Sequence, residues 1–311
     1  LYARDFSDDW PIDRRNSVPE KPLQSAGGGK VMKTHTRTNK FLRLLPGHIL
    51  LALMLVFLLF PFYWTFVTSI KPEKELYSST VRYWPSKVTF DSYKKLFAEY
   101  NFLRPMLNSL FVAFVTTLLS LAVSLLAAYA FSRYRFKGRQ VFMTLFLTNN
   151  MFPTVLLLIP LFAIMRKIGI LYTPSSLILS YTTFTIPFSV WLLTGYLDDL
   201  PRSLEEAAMV DGANRVQAFI RIILPMLLPC VVATGAYIFM TSWNEYTFAV
   251  MFTNERNRTI PVELKNFIGQ LGVEWGMLTA GGVITIIPVC IIFFFAQKRL
   301  VEGLTAGAVK G

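Results

Sequence analysis

One polar segment between long apolar runs combines an acid, small residues and a late proline. Its members are Glu206, Ala207, Ala208, Asp211, Gly212, Ile222, Leu224 and Pro225. Small side chains allow a helix to approach a partner closely, and an acid at the rim offers a charge. We therefore interpret this segment as a docking surface for another protein. The alternative is an ordinary solvated connector.

The first part of this docking segment has the pattern of a short helix. Ser203 and Glu206 stand three residues apart, which predicts a capping box at the helix start. Gly212 stands where a helix often ends on a left-handed residue. The pattern predicts a helix of about two turns that stops near Asp211.

The spacing of the segment resembles a known signature. Glu-Ala-Ala, three residues, Gly, nine residues and Ile-x-Leu-Pro resemble the cytoplasmic loop of bacterial ABC importer permeases. Other stretches look like the six-span, carbohydrate-type permeases of the maltose-transporter class: Asn108-Ser109, Ala127 to Ala130, Trp243-Asn244-Glu245 and Gly303 to Gly311. This likeness covers about residues 40 to 311 and implies the type I importer permease fold.

Composition indicates which elements must position the segment. Hydrophobic residues make up 53% of the 311 residues and charged residues 16%, against about 25% charged in soluble domains. Six runs are long and apolar enough to cross a bilayer: residues 48–70, 106–130, 141–165, 175–197, 226–251 and 277–297. We therefore predict an all-α membrane protein with six transmembrane helices.

The domain organisation follows from these runs. Residues 1–46 form a polar N-terminal tail, and an extension is one interpretation of residues 1–31. Residues 47–300 form the transmembrane permease domain, with a cytoplasmic coupling loop at 198–225. Residues 301–311 form a C-terminal cytoplasmic tail.

Charge distribution predicts the orientation. Basic residues follow the second predicted span: Arg133, Arg135, Lys137 and Arg139. Such residues favour the cytoplasmic side, which also holds the docking segment and, with an even number of spans, both termini. The expected location is the bacterial cytoplasmic (inner) membrane, multi-pass. The net charge of +12 is scattered over short loops, which argues against nucleic-acid binding.

Residues for metal or nucleotide chemistry are few. Cys230 and Cys290 fall inside predicted spans, and His35 and His48 have no second ligand type at metal spacing. Gly29-Lys30 lacks the other residues of a phosphate-binding loop. We predict no catalytic residue, metal site or cofactor in this chain, with ATP and Mg bound by a partner ATPase.

Candidate pathway or gate residues are Asn149, Asn150, Trp243, Asn244 and Glu245. Glu245 is ionisable within an apolar run, which indicates function by default, although its position near the outer face leaves two interpretations. One is a structural or gate-forming role, and the other is contact with sugar or with the binding protein. The two asparagines could bind sugar hydroxyls or bond between helices.

The resemblance implies a carbohydrate importer working by alternating access, with an oligosaccharide as first choice. A glycerol-phosphate-like or acidic sugar solute is the alternative, and an ion-coupled secondary carrier is a distant one. The implied partners are a second, non-identical permease subunit, two ATPase subunits, an extracytoplasmic solute-binding protein and the lipid bilayer. The tail residues Gly303, Gly307 and Lys310 would reach between the ATPase subunits, unless the tail is a disordered end.

Overall fold

The computed structural model describes residues 37–149, 151–269 and 272–308, with side chains described from 46 to 297 within these ranges. Long apolar runs form its five longest helices: α1 (Arg37–Ser69), α4 (Leu103–Arg133), α7 (Pro174–Asp199), α10 (Leu224–Trp243) and α13 (Trp275–Ala308). The shorter helices are α2 (Glu73–Leu76), α3 (Asp91–Ala98), α5 (Arg139–Asn149), α6 (Leu158–Lys167), α8 (Ser203–Val210), α9 (Arg215–Ala218), α11 (Thr247–Phe252) and α12 (Ile260–Asn266). A two-residue hairpin pairs β1 (Ile268–Gly269) with β2 (Gly272–Val273) in antiparallel register.

Within the described residues, five helices are long and apolar enough to span a membrane, and six if one bent pair counts as a span. That pair lies in the predicted third span, where α5 and the stretch Thr154–Lys167 meet at 97°. Pro153 offers a physical reason, because it disfavours helical geometry in the residue before it and donates no N–H. The helical membrane fold is confirmed, whereas a continuous helix over 141–165 is wrong.

The predicted fifth span is also two elements. α10 ends at Trp243, and α11 begins only at Thr247. Asn244 and Glu245 therefore lie in the connection rather than inside a span. At the chain ends, α1 begins ten residues before the predicted boundary at 47, and α13 continues through the boundary at 300.

The chain divides into two units within α1, between Leu55 and Val56. In the first unit the described side chains, from residue 46 onward, are exposed. In the second unit α4 packs against α7 and α10, and α10 packs against α13. Small polar residues line the α4–α7 contact, where the hydroxyls of Ser120 and Thr185 bond at 2.8 Å. Such residues let helices approach closely.

The second unit has two ends, each with its own buried cluster. The docking end contains α8, α9 and the adjoining ends of α4 and α7, over a buried cluster that includes Leu193, Leu197 and Ile223. The opposite end contains α2, α3, α11, α12 and the hairpin. Its core includes Phe102 and Trp243.

Candidate functional site

The docking segment folds as the sequence predicts in its first part. α8 covers eight residues, and Gly212 follows it with a φ of 91°, a conformation that favours glycine. Backbone N–H groups of Asp211 and Gly212 reach carbonyls in the last turn. The predicted two-turn helix and its left-handed end are confirmed.

The predicted capping box between Ser203 and Glu206 is wrong. Arg202 already has helical dihedral angles and stands at the N-cap without a side-chain bond, so the Ser203 hydroxyl lies inside the first turn. The capping box belongs to α9 instead. Asn214 accepts from the backbone N–H of Gln217 at 2.8 Å, and the Gln217 side chain accepts from the N–H of Asn214 at 2.9 Å.

The faces of α8 differ in exposure. Glu206, Ala207, Asp211 and Gly212 are exposed, whereas Ala208 is buried in the protein's own interior. Of the small residues predicted to face a partner, Ala207 and Gly212 are therefore accessible and Ala208 is not. Val210 is 86% exposed, so this surface is partly apolar.

A buried ion pair anchors α8. The carboxylate of Glu205, adjacent to the predicted Glu206, pairs with the guanidinium of Arg133 at the end of α4, and both side chains are nearly buried. Tyr129 donates its hydroxyl to the same carboxylate at 2.9 Å. Pairing and added hydrogen bonds are what a desolvated charge requires.

Arg133 also binds the end of α7. Its Nη1 donates to the carbonyl of Leu197 at 3.0 Å, and its Nη2 donates to the carbonyl of Leu200 at 3.3 Å. A second contact joins α4 to α7, because the Ser132 hydroxyl donates to Asp198 at 2.6 Å. α8 is thus fixed to the ends of two long helices.

The later part of the segment forms a π-helical turn, Phe219–Ile223, between α9 and α10. The N–H of Leu224 bonds the carbonyl of Phe219, five residues earlier. Pro225 has no N–H to donate four residues back, which favours this wider turn. Ile222 and Leu224 are partly buried and Pro225 is exposed, so these residues redirect the chain into α10.

Sequence reasoning missed Glu205 and the structural role of Arg133. One available signal was that Glu205 and Ala208 stand three apart and share a helix face. Nothing in the sequence said whether that face or the Glu206 face would turn inward. The Arg133 side chain is nearly buried, although Arg133 belongs to the basic run that follows the second predicted span.

At the opposite end, Glu245 is held by hydrogen bonds. Its carboxylate accepts from the Tyr181 hydroxyl at 2.7 Å and from the backbone N–H groups of Phe248 and Ala249 at 2.9 and 3.1 Å. It therefore caps the first turn of α11 and joins that turn to α7. This geometry favours the structural interpretation of the residue.

Trp243 and Asn244 line a cavity of about 500 Å³ together with α13 residues such as Thr285 and Val289. Trp243 is buried, and its indole N–H has no hydrogen-bond partner. Asn244 is exposed, and its side chain donates to the carbonyl of Met240 at 2.9 Å.

The remaining predicted site residues lie elsewhere. Asn149 is exposed at the end of α5, while Asn150 lies outside the described residues. Gly303 and Gly307 belong to the last turns of α13, and Lys310 lies outside the described residues. Of the described side chains, that of Asn149 forms no hydrogen bond or ion pair with the docking surface or with Glu245.

Comparison with known proteins gives consistent matches. The family described as "Binding-protein-dependent transport system inner membrane component" matches residues 120–305. The trehalose/maltose transport system permease protein MalG of Thermococcus litoralis is 39% identical over 88% of this chain and 98% of its own length. The sulfoquinovosyl glycerol transport system permease protein SmoH of Agrobacterium fabrum is 36% identical over 84% and 92%.

A solved structure supports the same fold. The crystal structure of a bacterial ABC transporter involved in import of the acidic polysaccharide alginate matches with a TM-score of 0.73 and 25% identity, over 86% of this chain and 100% of that chain. The family match covers more than half of the chain, and the permease relatives align over nearly their full length. This chain therefore belongs to the binding-protein-dependent transport system inner membrane component family, among the permease subunits of ABC importers.

Proposed function

We propose that this chain is the membrane-spanning subunit of an ABC importer that moves a carbohydrate, with an oligosaccharide as the favoured solute, into the cytoplasm. The single observation that carries the proposal is the exposed surface of α8 fixed to α4 and α7 by the buried Glu205–Arg133 pair. A surface fixed in this way moves with the long helices. It can transmit a partner's displacement as rigid-body motion, which is alternating access.

The partner at this surface is an ATPase, with one copy for each of two permease subunits. The docking residues are Glu206, Ala207, Ala208, Asp211, Gly212, Ile222, Leu224 and Pro225, of which Ala208 acts through internal packing. ATP and Mg bind to the ATPase, and hydrolysis takes place there. The tail residues Gly303, Gly307 and Lys310 reach toward the same partner.

The second, non-identical permease subunit and the lipid bilayer cover the apolar helix faces. α1 exposes its described side chains from 46 to 63, and α13 exposes residues such as Ile291 and Phe294. Apolar faces of this extent suit lipid or another membrane helix. An extracytoplasmic binding protein delivers the solute at the opposite end, consistent with the family description.

We place both termini and the docking end in the cytoplasm, in agreement with the basic residues after α4. Asn149, Asn150, Trp243, Asn244 and Glu245 then belong to the pathway or its outer gate. Glu245 contributes by holding α11 in place. Trp243 and Asn244 contribute directly, because they line the cavity beside α13.

A second candidate solute is an acidic sugar. The observation in its favour is the match to the transporter of an acidic polysaccharide. Uptake assays with a neutral and an acidic oligosaccharide of equal length distinguish the two.

Docking is tested by co-purification of the chain with the ATPase expressed beside it. Val210→Asp adds a charge to the exposed apolar part of α8, where it meets no buried contact of this chain. We expect the wild type to retain the ATPase and Val210→Asp to lose at least about 90% of it, because burying an unpaired charge at an interface costs several kcal/mol.

Lys137→Asp is the matched control, since Lys137 is exposed in the loop before α5. We expect it to retain the ATPase at the wild-type level. Retention by Val210→Asp equal to that of the wild type, or no retention by the wild type itself, would contradict the proposed docking surface.

A further inference from the structure

The loop after α1 contains a lysine that is buried without a matching carboxylate. Only 6% of Lys71 is exposed, and no ion pair of the described residues includes its ammonium group. The ammonium donates to the carbonyl of Arg82 at 2.5 Å and lies 4.4 Å from the ring centre of Trp64. Two of its three N–H donors remain for another acceptor.

A second group beside Lys71 also lacks a partner. The Thr68 hydroxyl, one helical turn earlier, is buried and has no hydrogen-bond partner. Both residues line a cavity of about 210 Å³ that has the indoles of Trp64 and Trp275 among its walls. Buried hydroxyls and ammonium groups are costly unless they are bonded. The cavity is therefore lined by unused hydrogen-bond donors of Lys71 and Thr68.

The ionisable residues that line this cavity leave a positive excess, whereas a neighbouring cavity that Lys71 also borders is lined by four acids, Glu73, Asp91, Glu99 and Glu274. The ionisable residues of the cavity beside Thr68 are Lys71, Arg82 and Glu75, so two bases stand against one acid. Glu75 is already engaged, because it accepts from the N–H and hydroxyl of Ser86 and lies 3.8 Å from Arg82. The remaining single positive charge suits an anion that carries one negative charge.

The pKa of Lys71 reflects its burial without an ion pair. Burial lowers the pKa of Lys71, and the nearby Glu75 opposes that shift only in part. The protein therefore keeps this ammonium at a cost in desolvation. A bound anion would offset the cost and raise the pKa again.

The position of the cavity indicates the source of the anion. Trp64 and Thr68 lie in the last turns of α1, and aromatic rings surround them: Trp64 contacts Phe60 and Tyr83. Aromatic residues of this kind mark a membrane–water interface, where phospholipid phosphates lie. A free solute would have to reach the same depth from the aqueous side.

We propose that the cavity formed by Thr68, Lys71 and Arg82 binds a singly charged oxyanion, the phosphate of a phospholipid at the membrane interface. The leaflet is the outer one if the orientation proposed above holds, but the anion chemistry is independent of that orientation and of the solute. The phosphate oxygens accept from the ammonium and from the Thr68 hydroxyl. The indoles contact the glycerol backbone and the first acyl carbons.

Native mass spectrometry of the intact transporter in mild detergent tests this site. The complex is titrated with phosphatidylglycerol, with diacylglycerol of the same acyl chains, and with glucuronate as a free carboxylate. We expect phosphatidylglycerol to bind at least about tenfold more tightly than diacylglycerol, since a charge-assisted hydrogen bond supplies that difference. Glucuronate should not displace it.

Two variants and a control locate the effect. Lys71→Met, which keeps an unbranched apolar stem but removes the ammonium, should weaken phosphatidylglycerol binding about tenfold. Thr68→Val should weaken it about threefold while leaving the lysine in place. Lys87→Met is the control, because Lys87 is exposed in the connection between α2 and α3. It should leave the affinity unchanged.

Equal affinity for the two lipids, or equal losses in Lys71→Met and Lys87→Met, would overturn the proposal. A response to glucuronate alone that depends on Lys71 would overturn the lipid assignment. If Lys71→Met fails to assemble, the result for Thr68→Val decides. These outcomes are separate from ATPase retention, which tests the proposed function.

Discussion

Glu205 at the docking end and Glu245 at the opposite end are both held by polar contacts, but the two sets of contacts are built differently. At the docking end, Glu205 is neutralised by Arg133 and joins α8 to α4 and α7. At the opposite end, the hydrogen-bond donors to Glu245 among the described residues are neutral, from Tyr181 and from the turn that follows it. One contact is an ion pair that joins three helices, and the other is a cap on the first turn of α11 that also bonds to α7.

The difference teaches how stiffness is distributed. Breaking a buried ion pair strands a charge and costs several kcal/mol, whereas a hydrogen bond to a charged group contributes about 1.5–3 kcal/mol. In the proposed function the docking end transmits displacement without bending, and a contact that strands a buried charge when it breaks suits that role. In the same proposal the opposite end opens to solute, and separate hydrogen bonds from neutral donors, each of which can break alone, suit that role.

The largest expected effect comes from Arg133→Met. It leaves the Glu205 carboxylate buried without a cation, so the free energy of unfolding should fall by about 3–5 kcal/mol. Chemical denaturation of the purified transporter measures the change, and ATP-driven uptake should fall with it.

Arg139→Met is the matched control for this effect. Arg139 pairs with Asp198 at 2.9 Å, but both side chains are well exposed, so its loss should cost no more than about 1 kcal/mol. If the two variants lose equal stability, the docking end is not braced by its buried pair.

A smaller effect is expected from Glu245→Gln. The amide keeps an acceptor oxygen but loses the charge, and its NH₂ group faces backbone donors, so the loss of stability should be about 1–3 kcal/mol. Denaturation under the same conditions compares it directly with Arg133→Met.

Tyr181→Phe tests the contribution of a single hydrogen bond to Glu245. It removes one of the three donors to the carboxylate and should cost about 1 kcal/mol. A loss from Glu245→Gln that exceeds the loss from Arg133→Met would reverse the proposed order of stiffness.

A comparably small effect on stability is expected from Gly212→Ala. A Cβ there meets no atom within 4 Å, but the φ of 91° is unfavourable for alanine, so the cost should be about 1–2 kcal/mol. The end of α8 should shift. We therefore expect ATP hydrolysis to continue with reduced solute uptake, although the loss of stability is small.

Gly195→Ala is its counterpart. Gly195 lies inside α7, its Cβ position is equally open, and it has no positive φ, so alanine should be neutral or slightly stabilising. Equal coupling in the wild type and Gly212→Ala would show that the left-handed turn is not needed for docking.

Periodicity and length predicted most of the long helices, because apolar runs of this size have few alternatives. The breaks were harder to predict. Hydropathy continues from 226 to 251, yet α10 ends at Trp243, where Glu245 caps a new turn through contacts with distant Tyr181. A hydropathy average over neighbouring residues does not detect a tertiary hydrogen bond of this kind.

The candidate site was predicted only in part, because some of its features are set locally and others by tertiary contacts. The turn at Gly212 is set locally, so the sequence identified it. Which glutamate of α8 turns inward depends on the distant Arg133 and Tyr129, so the sequence could not identify it. The capping box was misplaced because Asn214-Gln217 and Ser203-Glu206 have the same spacing, and only the dihedral angles of Arg202 distinguish them.

The π-helical turn at Phe219–Ile223 also constrains how this chain can change in length. The turn accommodates a hydrogen bond that spans five residues instead of four, so it contains one residue more than an α-helical turn. Deleting that residue would leave α10 intact but rotate α8 and α9 by about 100° about the helix axis. Insertions and deletions should therefore be rare within this turn and tolerated in the loops of the opposite end.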